Sequence, residues 1–69
     1  MNIEFLKDIL IQSIREGRVY IAERNAQKLA KLIGRESAKN VILSAEYPHI
    51  NHPDTVNSAL RAIGGIGNP

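Results

Sequence analysis

The chain is predicted to fold as an all-α domain, a compact bundle of about four short helices, and three features of the sequence predict it. Apolar residues recur at helical spacing over most of the length, breaks fall at Gly17, Gly34 and Pro48, and no two strand-like runs are present that could pair with each other. A length of 69 residues leaves room for one domain, placed over residues 1–63, with a glycine-rich tail over 64–69 that cannot hold a regular element. A single core of this size is marginal, because short chains bury a smaller share of their surface. The domain must therefore pack economically or find a partner.

The first helix is expected from the N-cap Asn2 to Glu16, with Ile3, Leu6, Leu10 and Ile14 as its buried stripe and Ile9 widening it. Glu4 and Asp8 near its start and Arg15 near its end suit the helix dipole, and Gly17 supplies the stop. Ile11 falls about 100° from the stripe and must cover a neighbour or face solvent. Arg18-Val19-Tyr20-Ile21 alternates once and holds two β-branched residues. A strand there would need pairing across a homodimer, so a loop or the first turn of the next helix is more economical.

The second helix, Ala22 to Ile33, carries the strongest pattern in the chain. Ala22, Ala26, Leu29 and Ile33 make one face; Arg24, Lys28, Lys31 and Arg35 stand roughly 200° away. Gly34 closes it, and Ser37 is the expected N-cap of a third helix that buries Ala38, Val41, Ile42 and Ala45 and runs to about Tyr47 before Pro48. Leu43 and Tyr47 lie on its outer side. After a turn over Pro48 to Pro53, with Ile50 dipping into the core, a fourth helix opens at Pro53 or Asp54 and buries Val56, Ala59, Leu60 and Ile63.

Composition removes whole classes of function. Cysteine is absent, which excludes disulfides, zinc thiolates and thiol nucleophiles. The amino-terminal stretch carries Glu4 and Asp8 and does not read as a secretory signal. The longest apolar run, Ile9-Leu10-Ile11, is far short of the ~20 residues a membrane span needs, so a cytoplasmic location with no membrane partner is expected. The net charge of +2 is unevenly placed: residues 18–39 hold six bases against two acids, and the remainder three bases against five acids. The positive charge is thus concentrated in the middle third.

That concentration makes the Arg24, Lys28, Lys31 and Arg35 ridge, with Arg18 and Lys39 beside it, a candidate for phosphates along a nucleic-acid backbone. The competing reading is an ordinary solvated helix face; its acids, however, are scarce, where solvated faces usually mix signs. The stretch from Leu29 to Ala38, LAKLIGRESA, resembles a helix-turn-helix, with a small residue in the first helix and a glycine at the turn four positions later. It departs from that pattern at Arg35, where an apolar residue is usual, and in having its buried position at Val41 rather than at Asn40. The resemblance implies a third helix that enters the major groove of DNA, with Ser37, Lys39, Asn40 and Ser44 as contacts and Asn40 able to hold adenine bidentately. A fainter similarity to the ribbon-helix-helix plan would make Val19 to Ile21 an intermolecular ribbon.

Other chemistry is thin. His49, His52 and Asp54 form H-x-x-H-x-D around a proline turn, too few donors for a metal site, and brace the start of the fourth helix on the simpler reading. Ser37 and Ser44 have no histidine near them in sequence, and no glycine-rich phosphate loop follows a strand. The expectation is a small non-enzymatic nucleic-acid-binding or regulatory protein without cofactor, acting on DNA rather than RNA. The alternative is a protein-interaction module, a homodimer or an adaptor or inhibitor of a larger partner, with Ile11, Leu32, Leu43 and Tyr47 as its outward apolar residues.

Overall fold

The computed structural model describes residues 2–46 and 53–65, and the account below concerns these. Four helices follow one another, α1 (Ile3–Arg15), α2 (Val19–Ile33), α3 (Arg35–Glu46) and α4 (Pro53–Ala62), with no strand among the described residues. The chain is an all-α bundle with a radius of gyration of 10.5 Å.

α1 starts where Asn2 caps it. The side-chain Oδ1 accepts the N–H of Glu4 at 2.9 Å and of Phe5 at 3.4 Å, satisfying two donors that a helix start otherwise leaves free. Asn2→Ala is expected to lower stability by about 1 kcal/mol, read from the urea midpoint at unchanged m-value; a change below ~0.3 kcal/mol would mean that water serves those donors equally well. The helix ends at Gly17, whose φ of 72° lets the Arg18 N–H reach the Ser13 carbonyl at 2.9 Å and turns the chain back.

The stretch at Arg18 to Ile21 is helical from Val19 onward, so it is the first turn of α2 and neither a loop nor a ribbon strand. At the other end Gly34, alone between two helices, takes φ 93° and ψ 156°. Its N–H donates to the Ala30 carbonyl at 2.9 Å, and its own carbonyl accepts the Ala38 N–H at 3.1 Å. One residue therefore closes α2 and opens α3. This overturns the expected Ser37 cap: Ser37 is exposed inside the first turn of α3, because the chain had already been turned at Gly34.

α2 is the central element. It packs on α1, α3 and α4, and α3 packs on all three of the others, whereas α1 and α4 have little contact with each other. α1 and α4 thus flank α2, and α3 lies across their inner sides. The core joins Leu6, Leu10 and Ile14 of α1, Ala22, Ala26, Leu29 and Ala30 of α2, Ala38, Ile42 and Ala45 of α3, and Val56 and Ala59 of α4 with Ile63 just beyond it. Among the described residues it is aliphatic, and the small alanines of α2 and α3 leave little side-chain volume between those helices.

Several positions depart from the simple stripes. Ile3 is 37% exposed, since nothing covers the first turn of α1, and Ser13 is buried instead, its hydroxyl donating to the Ile9 carbonyl at 2.7 Å. Ile11 is half-buried against the core and Arg15 on the same side donates toward the Ala45 carbonyl at 3.5 Å, because α3 packs along that flank. Ile11 therefore covers a neighbour and adds little to any outer surface. Val41 and Leu60 are partly rather than fully buried, and Thr55 is buried in their place. His49, Ile50, His52 and Tyr47 lie outside the described residues, as do 66–69 of the tail; Gly64 is held in a turn by its N–H to the Arg61 carbonyl at 3.2 Å.

Candidate nucleic-acid interface

The outer side of α2 is built by its own amphipathicity. Because Ala22, Ala26, Leu29 and Ala30 are drawn into the core, Arg24, Lys28 and Lys31 are forced outward, and all three are exposed. Among the described residues the ion pairs are Lys7 with Glu4 at 3.3 Å and Arg18 with Glu16 at 2.8 Å, so none of these three has a carboxylate partner. At 1.5 Å rise per residue Arg24 and Lys31 stand about 10 Å apart along the axis, with Lys28 between them. That is about three steps of a nucleic-acid strand at roughly 3.4 Å each.

Tyr20 belongs to this face, a residue the charge pattern alone does not single out. The Arg24 guanidinium lies 5.6 Å from the centre of the Tyr20 ring, and its Nη1 donates to Tyr20 Oη at 3.3 Å. The signal was present as an aromatic and a cation at i, i+4 on one helix. The contact steers Arg24 along the outer face without neutralising it.

The remaining cations are placed differently. Arg35, half-buried at the start of α3, donates through Nη1 to the Gly64 carbonyl at 2.8 Å and so ties α3 to the end of α4. Lys39, one turn further, lines with Arg35, Glu36, Leu60, Ile63 and Gly64 a shallow cleft between α3 and α4. Arg18 is exposed but paired with Glu16, an exchange worth little at the surface. Asn40, Ser37 and Ser44 are exposed on the outer side of α3, and Ser44 Oγ donates to the Val41 carbonyl at 2.7 Å. Since α2 and α3 both turn their buried residues, Ala22, Ala26, Leu29 and Ala30 on one and Ala38, Ile42 and Ala45 on the other, into the shared core, their outer sides are separate surfaces. The structure thus brings Arg24, Lys28 and Lys31 together and leaves Lys39 and Asn40 on other surfaces.

The link between α2 and α3 is the single residue Gly34, where a helix-turn-helix has a turn of three or four residues. Of the outward apolar residues, Leu32 is 53% and Leu43 38% exposed, on α2 and α3 respectively. Asp54, the described member of the histidine-containing stretch, is exposed in the first turn of α4. No helix among the described residues is long and apolar enough to cross a membrane. Comparison with protein-family models, with curated proteins and with solved structures finds no match for this chain.

Proposed function

We propose that the protein is a small non-enzymatic nucleic-acid-binding protein that uses the outer face of α2 against phosphates, duplex DNA being the favoured target. The observation that carries this reading is the exposure of Arg24, Lys28 and Lys31 on successive turns with no carboxylate partner among the described residues. Unpaired cations at the spacing of a phosphate strand bind by releasing condensed counterions, without reading bases. Arg35, Lys39 and Arg18 then add to the field around the chain rather than to the contact.

Fluorescence anisotropy with a labelled DNA duplex tests this. Three phosphate contacts give a slope of about −2.7 in log K against log salt, a loss of roughly 40-fold between 50 and 200 mM. Lys28→Glu/Lys31→Glu is expected to flatten that slope by about 2 and to abolish binding at 50 mM, with an unchanged circular dichroism spectrum. Absence of binding by the wild type at 50 mM salt, or full binding by the double variant, overturns the reading. A protein-interaction module is the second reading, favoured by the exposure of Leu32 and Leu43.

A further inference from the structure

Among the described residues, all the exposed large apolar side chains but Leu43 stand on α1 and α2, and Phe5, at 60% exposed, is among the most open. Joined by a turn of the three residues 16–18 and packed on each other, the two helices form a helical hairpin, with a shallow groove between them that Ile9, Ser13 and Ile21 help to line. At about 100° per residue Phe5 and Leu32 project on the groove side of their helices, at the end away from that turn. On the same outer surface α1 presents Asp8, exposed and without an ion-pair partner among the described residues, with the exposed Arg15 two turns further on, and α2 presents Arg24, Lys28 and Lys31.

We propose that this surface binds a second copy of the chain, α1 of each protomer lying antiparallel on α2 of the other about a two-fold axis parallel to the helices. The charges select that arrangement. Placing α1 on its own copy sets Asp8 near Asp8 and the cations of α2 near their counterparts, and like charges across an interface are disfavoured. Placing α1 on α2 sets acid against base. Counted from Gly17, Asp8 lies nine residues before the turn and Arg24 and Lys28 lie seven and eleven after it. At 1.5 Å per residue Asp8 of one protomer therefore stands about 3 Å in height from each of the two cations of the other, and the symmetry makes the contact twice. The same axis gathers Phe5 and Leu32 of both protomers into one apolar cluster, enlarging the small core that a chain of this length can form.

The dimer covers Arg24 and Lys28, which the phosphate reading needs open, so the two compete for one face; it does not rest on nucleic-acid binding and is measured on protein alone, so either reading can fail without the other. In sedimentation velocity the wild type is expected to sediment as a dimer at about 100 μM. Phe5→Glu, Asp8→Lys and Arg24→Glu/Lys28→Glu are each expected to weaken self-association at least 10-fold with helical circular dichroism retained. Mixing Asp8→Lys with Arg24→Glu/Lys28→Glu restores opposite charges at both symmetric contacts, and a heterodimer of wild-type strength is expected although each variant alone self-associates at least 10-fold more weakly. A monomeric wild type, variants that stay dimeric, or a mixture that stays monomeric each overturn the proposal. Rescue of Asp8→Lys by wild type together with indifference to Arg24→Glu/Lys28→Glu places α1 on α1 and overturns it equally.

Discussion

Leu29→Ala is expected to remove about 2–5 kcal/mol, a large share of the stability a chain of this size has. Leu29 has no exposed surface and lies on the face of α2 that meets the core shared by all four helices. Removing a buried leucine forfeits both its transfer free energy and the packing of the cavity left behind, together about 2–5 kcal/mol. A chain of 69 residues has roughly 3–10 kcal/mol of stability in total at about 0.05–0.15 kcal/mol per residue. Leu32→Ala, three positions along the same helix, is the matched control. Leu32 is 53% exposed, and its truncation is expected to change the stability of the monomer by no more than about 0.5 kcal/mol. Urea denaturation of the two at low micromolar concentration separates the inner side of α2 from the outer. Equal losses for both would mean that α2 is not oriented as described.

Gly34→Ala is expected to cost about 1–3 kcal/mol although the new methyl group strikes nothing. A Cβ at Gly34 would have no neighbouring atom within 4 Å, so space is not the difficulty. The backbone is: φ 93° with ψ 156° belongs to a region that glycine occupies almost alone. An L-alanine must either bear that strain or shift the joint between α2 and α3, disturbing the bonds from Gly34 to Ala30 and from Ala38 to Gly34. D-alanine at position 34, introduced by chemical synthesis, has the mirror-image preference. It is expected to match or exceed the wild type, because it also restricts the unfolded chain. If L- and D-alanine destabilise alike, the glycine is needed for some reason other than its backbone.

The joint also marks where sequence reading ran out. That a glycine ends α2 follows from periodicity and composition, but the entry into α3 depends on what that glycine does with both its N–H and its carbonyl. Ser37 carries the usual credentials of a cap and is not used as one, since Gly34 had already completed the turn three residues earlier. Ile11 is a similar case. Its angle on α1 is plain from the sequence, but whether that angle meets solvent or a neighbour is settled only by α3 packing along α1.

The candidate site divides along the same line. Arg24, Lys28 and Lys31 share a face because they share one helix, and any helix over those residues must display them together. Arg35 and Lys39 belong to the next helix, so their place depended on the angle taken at Gly34, which turned Arg35 toward Gly64 and away from the ridge. Local periodicity thus determined that there are four helices, most of the buried apolar residues of each, and the cationic side of α2. Only the tertiary structure decided which apolar residues remain uncovered and which cations stand together across helices, because burial is a property of the neighbours that other segments bring.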